Sequence, residues 1–305
     1  MINKHTLALA VGFVLLWNSG FIGAEYGLPY TGPFTLVFWR YLALTLFLAG
    51  YLLLKKRLRW VGWKVAGSNM LIGILAHGVW LTCVLFALDN EVPAGIVALV
   101  VALQPLATGA LSGYVTGERT NIYQWLGLVL GFTGVLVTVS FRIDFSSYRS
   151  VFGYLIPLVS VAAITIASLI QRRIEIKPET NKLPIDLTLF YQSLATTAVL
   201  ALPAIYVEHL YTEWDPVFIY TMLWLILAVS LGAYALMWLL IERIEAIQVA
   251  SLFYLGPPVT MLMAWIAFGD TIRVMDVAGL VIVFFGVFLT QFKTQKIASA
   301  NNVNS

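Results

Sequence analysis

Shifting the sequence by 152 residues lays its second half over its first without a gap. Phe38-Trp39-Arg40 falls on Phe190-Tyr191-Gln192, and Ile74-Leu75-Ala76 on Ile226-Leu227-Ala228. Ala94, Val97, Ala98 and Pro105 fall on Ala246, Val249, Ala250 and Pro257. Gly117-Glu118 falls on Gly269-Asp270, and Gly127 and Gly134 on Gly279 and Gly286. Helices rich in Leu and Ala match one another by chance at Leu and Ala. Prolines, glycines and an acid after each glycine carry positional meaning, and chance does not align them. The chain is therefore two copies of one structural unit.

The units are apolar. Of 305 residues 60% are hydrophobic and 11% charged, whereas a soluble domain carries about a quarter of its residues charged. The apolar residues come in continuous runs of the length a helix needs to cross a bilayer, roughly 20 residues. Membrane strands would be shorter and alternating. The runs predict helices over 6–25, 34–54, 65–88, 93–117, 122–141, 151–170, 187–207, 217–241, 246–269 and 274–292. The expected fold is an all-α polytopic membrane protein with ten transmembrane helices as two five-helix repeats, 6–141 and 151–292, followed by a cytoplasmic tail, 293–305. Five crossings are an odd number, so the second repeat lies upside down relative to the first. Inverted repeats give two conformations of similar energy, one open to each side, and exchange between them is alternating access.

Lys and Arg orient the bundle. With the N-terminus in the cytoplasm, the inner segments hold Lys4, Lys55, Lys56, Arg57, Arg59, Lys64, Arg119, Arg172, Arg173, Lys177, Lys182, Arg243, Lys293 and Lys296. The outer loops hold Arg142, Arg149 and Arg273. The expectation is a multi-pass protein of the cell inner membrane with both termini cytoplasmic. The first run is read as the first span rather than a cleaved signal, because further spans follow it.

Several classes are disfavoured. The net charge of +3 with one dense basic loop, Lys55 to Arg59, fits a membrane loop better than a nucleic-acid surface. Cys83 is the single cysteine, so neither an internal disulfide nor a thiolate metal site is expected. His5, His77 and His209 are scattered and no acid pair lies deep in a span, so no catalytic cluster, metal or cofactor is expected and the chain is not read as an enzyme. No phosphate-binding loop supports ATP-driven pumping.

The order and spacing of these motifs resemble the EamA-type permeases of the drug/metabolite transporter superfamily. The matching elements are Trp17-Asn18-Ser19-Gly20-Phe21, Trp39-Arg40-Tyr41, and Ala94…Ala98…Leu103-Gln104-Pro105…Gly117-Glu118, echoed by Ala246…Ala250…Leu255-Gly256-Pro257…Gly269-Asp270. Gly127, Gly134, Gly279 and Gly286 complete the pattern. The chain departs from the family at Glu25, where a basic residue is common, and at Asp270, where Glu is commoner. The resemblance implies ten helices in two repeats and permeation of a small organic solute such as an amino acid, amine, related metabolite or drug. Export is the expected direction, with import the alternative. A monomer or homodimer in the lipid bilayer is expected.

Candidate substrate-binding residues follow from polarity at depth. Arg40 lies about seven residues, roughly 10 Å, into its helix, where a charge faces the bundle or a watery cavity. It is either a partner for a substrate carboxylate or a fixed structural ion pair, with Glu25 as the candidate partner; its repeat mate Gln192 is neutral. Gln104, Thr108 and Ser112 share a helix face, with Gln104 near mid-membrane as the cavity candidate. Tyr234 and Trp238 stand on one face with Ser230. Trp17, Asn18, His77, Trp80 and Tyr254 complete a set of aromatic and hydrogen-bonding groups suited to an amphipathic ligand. Each aromatic taken alone is better read as packing. His77 is either a hydrogen-bonded core histidine or a proton carrier, and the second reading makes protons the candidate coupling ion. Glu118 and Asp270, at helix ends, are expected to cap the next helix.

Overall fold

The computed structural model describes residues 4–90, 97, 100–118, 120–140, 151–176, 182–269 and 272–291. Asp270 and most of residues 91–99, the start of the expected fourth span, lie outside them. In chain order the helical rods are α1 (Lys4–Gly27), α2 (Pro33–Leu54), α3 (63–89), α4 (Gln104–Val115), α5 (Ile122–Ser140), α6 (Val151–Glu175) and α7 (Ile185–Tyr206). Three more follow: α8 (216–243), α9 (246–268) and α10 (Val274–Thr290). Among the described residues, seven stretches are long and apolar enough to cross a membrane: Lys4–Tyr30, Pro33–Leu54, Trp63–Ala87, Leu155–Glu175, Ile185–Tyr206, Pro216–Arg243 and Ala246–Phe268. Ile122–Thr138 and Val274–Thr290 are shorter apolar helices. Among the described residues the single strand-like contact is the bridge between Thr31 and Thr212. The chain is an all-helical, polytopic membrane protein.

Helix ends obey their local chemistry. Pro33 and Pro216 open α2 and α8, where a missing N–H costs nothing. Asp215 caps α8 by accepting from the Val217 N–H at 2.8 Å. Gly117 and Gly269, 152 residues apart, both take positive φ, 77° and 75°. That left-handed turn after a helix favours glycine.

Two pairs of helices hold the bundle together. α5 and α10 pack most extensively. A Cβ on Gly127 would lie 2.6 Å from the Gly286 carbonyl oxygen, and one on Gly134 would lie 2.9 Å from that of Gly279. The backbones touch, which only small residues permit, and the crossed order of the contacts makes the helices antiparallel. α2 and α7 form the second pair. Thr45 and Thr197, again 152 apart, face each other at 3.3 Å. The Glu208 carboxylate accepts from the Phe34 and Thr35 N–H groups at 3.0 and 2.6 Å, capping α2 from the far end of α7. Arg57 pairs with Asp186 at 2.8 Å at the opposite end.

Four rods break their helical repeat at related heights. α3 passes through a π-helical turn at Ile74–Val79 and α8 through one at Leu225–Ala233. α4 starts at Gln104 after a turn at Ala102 and Leu103, and α9 tightens to a 3₁₀ turn at Leu252–Leu255. Removing 152 from the α8 and α9 numbers lands on the α3 and α4 breaks. Pro105 and Pro257 follow the latter pair and cannot continue a helical hydrogen-bond ladder. Such breaks recur at functional sites.

Candidate functional site

A cavity lies between α1, α2, α3 and α8. Its walls are Trp17, Gly20, Phe21, Ala24, Arg40, Trp80, Leu81, Leu85, Val229 and Tyr234. Four expected site residues, Trp17, Arg40, Trp80 and Tyr234, therefore meet at one place. Trp17 is the hub: its ring centroid lies 5.1 Å from Trp80, 4.8 Å from Tyr234 and 5.0 Å from Phe253. Gly20 brings α8 close, since a Cβ there would lie 2.9 Å from Val229. The cavity volume is about 20 Å³. That is room for roughly one water, so a solute larger than this must part the walls.

Arg40 is 3% exposed. Its Nε donates to Ser230 Oγ at 2.5 Å, and its Cζ stands 5.6 Å from the Tyr41 ring centroid. The Ser230 bond uses one of the guanidinium's five N–H donors. The ion pairs among the described residues are Arg57–Asp186, Arg172–Glu118 and Lys182–Glu175, none of them involving Arg40. The expected pairing with Glu25 is not among them; Ser230 of α8 holds the guanidinium instead. A buried cation without an anion is costly, and this one sits on a cavity wall.

Behind Tyr234 lies a second polar layer. Gln192 Oε1 accepts from Trp238 Nε1 at 3.0 Å and meets His77 Nε2 at 3.0 Å. The indole N–H is donor only, so the atom it faces must be the amide oxygen, and His77 Nε2 must donate to it. His77 Nδ1 is left without a partner among the described residues. Its ring lies edge-on to Tyr234 at 4.0 Å, and Tyr234 Oη donates to the Ala76 carbonyl at 2.8 Å. Thus His77, Gln192 and Trp238 brace the cavity wall without lining it.

The remaining expected residues sit elsewhere. Asn18 donates to the Val14 carbonyl at 2.6 Å and accepts from Thr260 at 3.1 Å, pinning α1 to α9. The Tyr254 ring packs where a Cβ on Gly131 would be, and its hydroxyl has no partner among the described residues. Thr108 and Ser112 bond carbonyls of their own helix at 2.9 and 3.1 Å. Gln104 is fully buried and neither amide atom has a partner among the described residues. Leaving such groups unpaired costs about 1–3 kcal/mol each. Gln104→Leu is therefore expected to leave the unfolding midpoint unchanged or raise it by roughly 2–4 °C. A clear drop in a thermal melt would show that the amide is bonded.

Glu118 corrects an expectation. It does not cap the adjacent α5, whose first turn is closed by Asn121 and Gln124 exchanging bonds at 2.9 Å. Glu118 instead pairs with Arg172 at 2.5 Å and accepts from the Ala246 N–H of α9 at 3.3 Å. Arg172 reaches the Ile241 carbonyl at 2.6 Å. One carboxylate thus ties the ends of α4, α6, α8 and α9. Sequence reasoning also passed over Tyr41, and over the role of Ser230 as the partner of Arg40. The adjacency of Tyr41 to Arg40 and the shared face of Ser230 and Tyr234 were the available signals.

Comparison with known proteins matches residues 5–140 and 151–292 to the EamA-like transporter family. A Salmonella typhimurium protein named "Probable amino-acid metabolite efflux pump" is 24% identical over 288 residues, covering 93% of this chain and 94% of its own. An "Uncharacterized transporter" of Archaeoglobus fulgidus is 25% identical over 294 residues, covering 95% of this chain and 99% of its own. A solved crystal structure matches with a TM-score of 0.76 at 19% identity, over 95% of this chain and 98% of that one, which shows a shared fold.

Proposed function

The chain belongs to the EamA-like transporter family, and on that premise we propose that it exports a small carboxylate-bearing organic solute, an amino acid or its metabolite, across the cell inner membrane. The observation that carries this reading is Arg40, a buried cation with one recorded bond on the wall of an aromatic cavity. Guanidinium groups bind carboxylates through paired, charge-assisted bonds. The rings of Trp17, Trp80 and Tyr234 suit the apolar remainder of the solute.

A simple amine is disfavoured. Aromatic faces attract a cation by about 0.5–2 kcal/mol. A like charge about 6 Å away repels it by roughly 3 kcal/mol in a partly screened interior. With Arg40 in the same cavity, repulsion wins.

The proposed mechanism is alternating access in a bundle of ten spans, arranged as two inverted repeats with both termini cytoplasmic. The breaks in α3, α4, α8 and α9 support it, since transporters place solute at discontinuous helices near mid-membrane. So does the antiparallel α5–α10 pair, whose glycine contacts exchange under the 152-residue shift. The small cavity fits a conformation whose walls must part to admit solute. Efflux is adopted from the Salmonella relative's name.

The test is solute counterflow in proteoliposomes, run over the L-amino acids, their N-acyl and thiol derivatives, and matched amines lacking a carboxylate. Carboxylated solutes should exchange and the amines should not. Flat traces for every carboxylate, with the protein folded and monodisperse, would sink the proposal.

A further inference from the structure

The segment from the end of α2 into the first turn of α3 carries five cations and no acid within ten residues: Lys55, Lys56, Arg57, Arg59 and Lys64. All five are exposed. Arg57 is neutralised by Asp186 of α7; none of the other four joins an ion pair among the described residues. Two large aromatics stand beside them, Trp60 at 55% and Trp63 at 80% exposure, edge-on at 4.8 Å. The preceding residue, Leu54, is 86% exposed. A Leu this exposed at the end of a membrane helix marks acyl-chain depth. Tryptophans in the open mark the boundary between chain and headgroup. Lys55, Lys56 and Arg57 follow within one helical turn, about 5 Å, and so stand at headgroup depth.

The loop is held in shape. Lys56 takes φ of 53° and turns the chain back, so that the Arg57 N–H donates to the Leu52 carbonyl at 2.8 Å. Tyr191 of α7 donates to the Arg59 carbonyl at 2.7 Å, and the Trp60 ring leans on Tyr191 at 6.1 Å. The charges are therefore presented from a fixed platform, which lowers the entropy cost of binding. Arg40 is 15 residues up α2 from Lys55, roughly 22 Å away, so this is not the solute cavity.

We propose that Lys55, Lys56, Arg59 and Lys64, with Trp60 and Trp63, form a binding site for the phosphate headgroup of an anionic phospholipid in the leaflet facing this loop. Charge complementarity selects the anion. The exposed aromatics and Leu54 select a lipid over a soluble phosphate, because they supply a surface for acyl chains. The clamp joins the site to α7, so a bound lipid stiffens the α2–α7 junction.

The full chain in nanodiscs of phosphatidylcholine, with increasing phosphatidylglycerol of the same acyl chains, tests this by native mass spectrometry and thermal unfolding. Phosphatidylglycerol should be retained at least about tenfold over phosphatidylcholine and should raise the melting temperature. Both effects should vanish in Lys55→Gln/Lys56→Gln/Arg59→Gln/Lys64→Gln, which leaves the Arg57–Asp186 pair in place. The milder Lys55→Gln/Lys56→Gln should lose part of the preference and serves if the quadruple variant misfolds. Equal retention of the two lipids by the wild type, or an undiminished preference in the variants, overturns the proposal. So does an equal thermal shift from inorganic phosphate alone. No outcome depends on knowing the transported solute.

Discussion

Arg40→Ala is expected to lower solute exchange by about 30- to 4000-fold while leaving the helical fold intact. Removing one partner of a desolvated charge pair costs about 2–5 kcal/mol of binding, and each 1.4 kcal/mol is tenfold. The guanidinium touches α8 through a single recorded bond to Ser230, so its loss breaks little of the protein's own structure. It also relieves the desolvation of a buried cation. Arg40→Lys keeps the charge but not the planar fork and should recover part of the exchange. Counterflow with the best carboxylated solute and a thermal melt on the same samples decide the matter. If Arg40→Ala lowers the melting temperature sharply and exchange follows stability across the variants, Arg40 is a structural clamp.

The largest effect on stability is expected at the α5–α10 crossing. A Cβ on Gly286 would lie 2.7 Å from the Gly131 Cα and 2.8 Å from the Gly127 carbonyl oxygen. Both neighbours are backbone, which has no rotamer to yield. Gly286→Val must push two helices apart along their best-packed seam, a cost of about 3 kcal/mol or more. We expect aggregation in size-exclusion chromatography or a fall in the melting temperature of more than about 5 °C. Gly50→Ala is the control: nothing lies within 4 Å of its Cβ position, and alanine is the better helix former by about 1 kcal/mol. Equal behaviour of the two variants would show that the seam is loose.

Legibility differed from residue to residue. Trp17, Arg40, Trp80 and Tyr234 were marked by polarity or ring size at membrane depth, and they do surround one cavity. Asn18 and Tyr254 carried the same signals but serve α1–α9 and α5–α9 packing. Composition cannot separate these cases, because an amide binds a solute and a neighbouring helix with the same atoms. Glu118 was legible as a helix-end acid, yet its partners Arg172 and Ala246 lie 54 and 128 residues away. The π-helical turns in α3 and α8 have no sequence signal of their own; Gly73 hints at one, since it lets α3 reach the Gln192 backbone.

By itself the sequence determined the medium, the helices and the two-fold repeat. These depend on properties that run along the chain: apolar length sets a crossing, lysine and arginine mark its ends, and recurrence at 152 residues marks the duplicated unit. Tertiary structure alone decided which buried polar groups are spent on each other and which remain available. It paired Gln192 with Trp238 and His77 and placed Arg40 beside Ser230 on a cavity wall. The physical reason is that hydrogen-bond satisfaction depends on distance in space, and the residues that supply it are up to 242 apart in the chain.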